Sequence, residues 1–291
     1  MDFFLGIGKK MTWENEISRN ALDVAPYKNV LKDAELIKKE ELENISPDEL
    51  NYYISKDNYP IPCQEDREHY CKNNDSRYWV FGLQDYLKVK GAAKELNKVY
   101  DKYLDFGCAS GRVIRHFLCN EDIEIWGTDI NQRHIRWIHE HLPKVKAIFN
   151  NTIPSLPFED NYFDLITSFS VFTHIDTFET CWLAEIRRIL KPSGMFYVTI
   201  HDETTWEENK KDPNSNQLKV IKIATKDNFE KIISGPPPCG MQSYRHTQEG
   251  PYRGLVFHSK EYIENVWGRF FKIIKYIPLG HKKQTVLILE K

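Results

Sequence analysis

The stretch Asp105-Phe106-Gly107-Cys108-Ala109-Ser110-Gly111 places a turn of small residues directly after a short apolar strand pattern at residues 103–106. Small residues are needed where a ligand comes close to the backbone, because larger side chains would occupy its space. The amides of a helix that opens behind such a turn can receive a carboxylate. A second strand pattern at residues 123–128 leads to Asp129, and an acid at that point can accept hydrogen bonds from the hydroxyls of a ribose.

Outward from this turn, strand and helix patterns alternate, the signature of βαβ units and a mainly parallel sheet. The helix expected after the turn opens at Gly111 and carries Val113, Ile114, Phe117 and Leu118 on one face. Asn131 is the expected cap of the next helix, which sets Ile135, Ile138 and Leu142 at helical spacing. Further strands are expected at residues 146–149, 163–168 and 195–201. The helix between the last two, at residues 177–190, is expected to stop at the turn Lys191-Pro192-Ser193-Gly194. Ser259 begins a final helix, and two strand patterns at residues 271–277 and 284–290 are joined so briefly that they form an antiparallel hairpin. The expected fold is α/β: a Rossmann-like, mainly parallel seven-stranded sheet closed by that hairpin.

The remaining segments are appendages. Residues 1–98 show helical signals, including Ser46-Pro47-Asp48-Glu49, which has the cap, first-turn proline and N3 glutamate of a helix start. The aromatics Tyr78, Trp79, Phe81 and Tyr86 either cover the mouth of a site or pack on the core. Residues 203–258 form an insertion between strands five and six, with one strand-like run at residues 218–223. The expected division is a helical cap at 1–98, a cofactor-binding core at 99–202, an acceptor-site insertion at 203–258 and a core-completing end at 259–291.

Composition narrows the function. The 291-residue chain has a formal charge of -2, which lacks the basic balance suited to a polyanionic backbone. Nucleic acid is therefore disfavoured as a partner. The cysteines 63, 71, 108, 119, 181 and 239 show no C-x-x-C spacing, so reduced thiols and no metal site are expected. The first residues lack the basic start and long apolar run of a signal peptide, and no apolar run is long enough for a spanning helix, giving the expectation of a cytoplasmic location.

A nicotinamide-binding turn is a rival reading of the glycines. It is disfavoured because Arg112 stands where the third glycine of G-x-G-x-x-G is required, and Asp105 would repel a pyrophosphate. A ligand bearing an ammonium and a sulfonium suits Asp105 better.

The ordered set D-F-G-C-A-S-G, G-T-D-I-N, L-P-F-E-D-N-Y-F-D-L-I and L-K-P-S-G resembles the class I S-adenosylmethionine-dependent methyltransferase superfamily over residues 100–202 and 260–291. The resemblance implies S-adenosylmethionine as cofactor. It implies that Asp105, Gly107 and Gly111, with Cys108 and Ala109 between them, border the methionine end, and that Asp129 holds the ribose. Ile130 would lie against adenine and Asn151 or Thr152 near its amino edge, with Phe169 a further contact. Ala109 departs from the glycine of many relatives, and Asn150-Asn151-Thr152 lacks the acid often found there.

The stretch Ser168-Phe169-Ser170-Val171-Phe172-Thr173-His174 lacks the N/D-P-P-Y/F/W sequence of amino-methylating nucleic-acid enzymes. This favours oxygen as acceptor atom and a small-molecule or saccharide-like acceptor, since similar S-V-F-T-H stretches occur, by resemblance, in bacterial members associated with saccharide modification. Methyl transfer requires alignment and a base for the hydroxyl proton. His174 and His201 end adjacent strands at the ligand-holding edge, and each is either the base or a loop-capping residue. Asp176, Asp202 and Glu203 could orient a histidine, hold a metal, or serve as helix caps and solvated acids. Tyr244, Arg245, His246 and His258 are candidate acceptor contacts or ordinary packing residues. Two other classes stand beside the enzyme reading: a cofactor-binding regulatory protein without catalysis, and a nicotinamide-dependent oxidoreductase.

Overall fold

The structure is a computed structural model that describes residues 42, 45–72, 74–245, 247 and 252–291. Residues 1–41 of the expected N-terminal cap lie outside the described residues.

The core strands are β1 (Lys102–Phe106), β2 (Glu124–Asp129), β3 (Lys146–Phe149), β4 (Phe163–Ser168) and β5 (Leu190–Ile200). They join two C-terminal strands, Lys272–His281 and Gln284–Glu290, in one seven-stranded sheet. With β6 (Met241–Arg245) and β7 (Gly254–His258) lying elsewhere, the C-terminal pair are β8 and β9, and the order is β3-β2-β1-β4-β5-β9-β8. The first five strands pair in parallel, whereas β9 runs antiparallel to both β5 and β8. The expected α/β fold with a closing antiparallel hairpin is what the chain forms.

Side chains alternate across this sheet as the strand period of two requires. Tyr103, Leu165, Tyr197 and Ile288 face one layer; Leu104, Ile166, Phe196 and Leu289 face the other. The first layer holds α1 (Pro47–Lys56), α2 (Asp75–Glu95), α3 (Ile114–Asn120) and α4 (Gln132–His141). The second holds α5 (Glu179–Ile189) and a late helix, Lys260–Asn265. Because both faces are covered, β1 and β4 are buried along almost their whole length.

Several helix starts follow from capping. Ser46 accepts from the Glu49 amide at 3.3 Å while Glu49 accepts from the Ser46 amide at 2.9 Å. Asn131 and Ser259 cap in the same way, at 3.0 Å and 3.2 Å. The aromatics of α2 are mostly core: Tyr78, Trp79 and Tyr86 are buried. An ion pair ties the segment before α2 to α3. Asp57 accepts from Arg115 at 2.7 and 3.0 Å and from the Trp79 indole at 2.6 Å, all three groups being buried. Burial pushes the Asp57 carboxyl up, but Arg115 outweighs it and holds the group below its ordinary value.

Four sequence expectations require correction. Residues 218–223 are not a strand but part of α7 (Asn216–Thr225), which follows α6 (Glu203–Lys210) and precedes α8 (Phe229–Ser234). The β-branched run there has strand propensity, yet Ser215 caps it and Leu218, Ile221 and Ala224 pack against Trp206, Tyr244 and Phe257 at helical spacing. The strands of the insertion are instead β6 and β7, an antiparallel pair outside the main sheet. The helix after the first turn starts at Ile114 rather than Gly111, since Gly111 has φ +77°. Finally, residues 191–194 belong to a β5 longer than expected, and a register shift between Phe163 and Leu165 of β4 accommodates them. Among the described residues no helix is long and apolar enough to cross a membrane.

Candidate functional site

The C-terminal ends of β1, β2 and β4 open into a cleft with two compartments of about 730 Å³ and 440 Å³, within the range of small-molecule sites. Glu68, Gly107, Ala109, His134, Phe169, Ser170 and His174 line both. The compartments therefore share one wall, built from the turn after β1 and the loop after β4.

The turn after β1 is held by backbone hydrogen bonds and by one carboxylate. The Gly107 and Cys108 amides donate to the Thr128 carbonyl at 2.8 and 2.9 Å, and the Ala109 amide donates to Asp129 Oδ2 at 2.8 Å. Gly107 has φ +80°, and a Cβ there would lie 2.2 Å from Val171 Cγ2. Gly111 has φ +77°, and its Cβ would lie 2.9 Å from Leu142 Cδ1. Only glycine meets both demands, open backbone conformation and no side chain. Ala109 also adopts positive φ, at +47°, so the alanine accepts a left-handed position that favours glycine.

Two acids flank the turn. Asp105 lines the larger compartment and is buried on the same face as Tyr103 and Thr167. Thr167 Oγ1 donates to Asp105 Oδ1 at 2.8 Å and is itself 2.7 Å from the Tyr103 hydroxyl, a short polar chain beneath the carboxylate. Burial pushes the Asp105 carboxyl up to about 7; the Thr167 bond and Arg112 pull the other way, and Asp129 adds to the rise. Asp129 lines the smaller compartment together with Ile130, Asn131 and Asn150. Its Oδ1 accepts from the Asn131 amide at 2.8 Å, so both oxygens are aimed by backbone and each retains a lone pair.

The other expected cofactor residues divide. Phe169 and the half-exposed Ile130 line the cleft, and Cys108 lines the larger compartment. Asn151 and Thr152 do not line it; Asn150 does, with its Oδ1 buried and unpartnered. The Thr152 carbonyl instead receives the Tyr252 hydroxyl. Gly111 shapes the turn from behind without reaching the cavity.

The two histidines also part company. His174 is exposed, lines both compartments, and places Nδ1 2.8 Å from the Gly254 carbonyl. A carbonyl only accepts, so Nδ1 carries the proton and Nε2 is the basic nitrogen. His201 is 2 % exposed, lines neither compartment, and packs against Phe257 with Nδ1 3.3 Å from the Val256 carbonyl. Burial lowers its pKa to about 3, with the neighbouring His174 charge a further cause.

The acids after these histidines are structural. Asp202 caps α6 and accepts from Thr204, Thr205, Tyr276 and Thr285. Asp176 pairs with Arg245 at 2.7 Å, and Glu203 accepts the Lys260 amide at 2.7 Å. His258 is buried 2.5 Å from Glu179, and Tyr244 packs in the small core of the insertion. His246 lies outside the described residues.

Sequence reasoning missed much of the larger compartment. The larger compartment is completed by Arg67, His69 and Tyr70 from the segment before α2, and by His281 to Gln284 at the β8–β9 turn. These residues lie far apart in the chain and carry no motif. Arg112, which stands where a nicotinamide-binding turn would need its third glycine, extends to Asp85 at 2.5 Å, and His281 reaches the same carboxylate at 3.1 Å.

Comparison with known proteins bears on this cleft. A family described as a methyltransferase domain matches residues 104–198. A ubiquinone/menaquinone biosynthesis C-methyltransferase of Paraburkholderia phymatum is 33 % identical over 129 residues, covering 41 % of this chain and 51 % of the relative. A counterpart from Burkholderia thailandensis is 32 % identical over 128 residues, with the same coverage of 41 % and 51 %. The chain thus spans about half the length of the curated relatives it matches. Among solved structures, a protein of Pyrococcus horikoshii is similar with a TM-score of 0.49 at 23 % identity, over 71 % of this chain and 88 % of that one. The 1,6-didemethyltoxoflavin-N1-methyltransferase of Burkholderia thailandensis is similar with a TM-score of 0.49 at 12 % identity, over 84 % and 90 %. The methyltransferase-domain match at residues 104–198 includes Asp129 at the end of β2, together with the turn after β1 and the loop after β4, the parts of the chain that build the shared wall of the cleft.

Proposed function

We propose that this chain transfers a methyl group from S-adenosylmethionine to a small-molecule acceptor, with oxygen as the acceptor atom. The observation that carries the reading is the pair of acids, Asp105 and Asp129, on either side of a turn with positive φ at Gly107, Ala109 and Gly111.

The residues fit the cofactor. Asp105 faces the larger compartment with a carboxylate suited to an ammonium, and Asp129 keeps one lone pair on each oxygen for the ribose. Asn150 Oδ1, buried without a partner, is an acceptor of the kind an adenine amino group would satisfy. Ile130 and Phe169 offer apolar surface beside them. Bound there, S-adenosylmethionine supplies an electrophilic methyl on a sulfonium. What the protein adds is alignment and proton removal.

His174 is the residue placed for proton removal, because it stands on the wall common to both compartments with Nε2 as its basic nitrogen. His201 is assigned a structural role, since it is buried away from the cleft. The insertion at 203–258 contributes Gln217 to the larger compartment, and Val220 and Leu255 to the smaller. The S-V-F-T-H stretch supports a saccharide-like acceptor. A carbon acceptor is the second reading, favoured by the C-methyltransferase relatives.

The test is turnover of S-adenosylmethionine with purified protein against sugars, nucleotide sugars and quinol precursors, followed by locating the methyl in the product by NMR. A methyl ether supports oxygen transfer. A new carbon–carbon bond replaces it by the second reading, and absence of S-adenosylhomocysteine formation with every acceptor argues for a binding protein.

A further inference from the structure

Arg67 lies in the segment before α2 and lines the larger compartment. Its side chain is 2 % exposed. Nη2 donates to the Lys72 carbonyl at 2.5 Å and lies 2.7 Å from Asp75 Oδ1, while the guanidinium sits 5.1 Å from the centre of the Tyr78 ring. Nε and Nη1 are buried and have no hydrogen-bond partner. A guanidinium carries five N–H donors and stays charged, so three of them stand unpaired beside a cavity. Leaving charged donors buried and unpaired is costly, and the cost is recovered when an anion takes them.

The surroundings favour such a ligand. Tyr78, under the guanidinium, donates to the Ser110 carbonyl at 3.4 Å, and Ser110 Oγ donates to the carbonyl of Asp66, the residue before Arg67. Arg67 is thereby fixed beside the far end of the β1 turn. Lys282 at the β8–β9 turn lines the same compartment, reaches the Tyr70 hydroxyl and lies 4.8 Å from that ring's centre.

The geometry points to an anion seat at Arg67, with Lys282 lining the same compartment, that holds a carboxylate or phosphate of a ligand there. Two sources carry that chemistry: the amino-acid carboxylate of the cofactor, and an acidic group on the acceptor. The first source rests on the methyl-transfer reading; the seat itself does not.

The experiment compares wild type, Arg67→Lys and Arg67→Met by calorimetry with three probes: S-adenosylhomocysteine, 5′-methylthioadenosine, which lacks the amino-acid carboxylate, and inorganic phosphate. Arg67→Lys keeps a cation within reach of Asp75 but removes the unpaired guanidinium donors. If the cofactor fills the seat, both variants bind S-adenosylhomocysteine about tenfold or more weakly and methylthioadenosine as wild type does. If the acceptor fills it, both nucleosides bind normally and the phosphate binding of wild type is lost. Folded variants that bind all three probes as wild type does overturn the seat. Should neither variant fold, wild type decides: it must bind phosphate, or bind S-adenosylhomocysteine at least about tenfold more tightly than its carboxamide, which keeps the ammonium that faces Asp105, and failure of both overturns the seat. Wild type that binds phosphate but neither nucleoside refutes the methyl-transfer reading and leaves the seat standing.

Discussion

Asp129 Oδ2 accepts the backbone N–H of Ala109 at 2.8 Å, so the acid that ends β2 also holds the turn that follows β1. One carboxylate thus serves both the expected ribose and the shape of the cleft floor. Replacing Asp129 by Ala should weaken S-adenosylhomocysteine binding by about 1.5–3 kcal/mol for each charge-assisted hydrogen bond lost. It should also lower the melting temperature, because the Ala109 and Asn131 amides lose their partner. Calorimetry alongside thermal unfolding separates the two effects, and a folded variant with unchanged affinity refutes the ribose assignment.

Gly107 tolerates no side chain. Gly107→Val should abolish cofactor binding and Gly107→Ala should already impair it, since even a Cβ falls 2.2 Å from Val171 Cγ2 at a φ of +80°. Circular dichroism should show the sheet retained with reduced stability. Normal binding by either folded variant would contradict the site.

His174 and His201 should give opposite phenotypes. His174→Ala should reduce turnover about 10²- to 10⁴-fold with near-normal cofactor affinity, and the acidic limb of the wild-type rate profile should vanish in the variant. His201→Ala should instead lower stability, because a buried ring packed on Phe257 is lost. Equal turnover losses in both would defeat this division of roles.

Buried neutral histidines set an acid limit on stability. Burial lowers both His116 and His201 to about 3, so the unfolded chain, titrating near the ordinary histidine value, binds more protons in between. Their contribution is present above about 6.5 and is lost as pH falls towards 3, by at most about 1.4 kcal/mol per pH unit for each. Urea unfolding from pH 7 to pH 4 should show the decline, and it should be shallower in His201→Gln.

Asp105 acts with the other sign. Burial raises its pKa to about 7, so the ligand-free fold loses stability as pH rises from the ordinary carboxylate range to that value. An ammonium beside it favours the ionised form and releases a proton. Affinity for S-adenosylhomocysteine should therefore fall by up to about tenfold per pH unit below 7, and calorimetry in buffers of different ionisation heat should detect the proton. A flat profile in wild type would remove Asp105 from the ammonium contact.

Local pattern was enough to read the parallel strands, the closing hairpin and the turn between Asp105 and Gly111. The glycine turn, Asp105 and Asp129 are local features, because each depends on a few neighbouring residues and on where a strand ends. Local pattern failed at residues 218–223, where a β-branched run became a helix once packing against Trp206 and Phe257 rewarded helical spacing. Tertiary packing alone set His174 and His201 apart, although they look equivalent at the ends of adjacent strands. The β6–β7 pair covers one, and the cleft opens to the other. It alone also brought Arg67, Tyr70 and Lys282 to one compartment. Such residues face each other through long-range packing, which no spacing along the chain encodes.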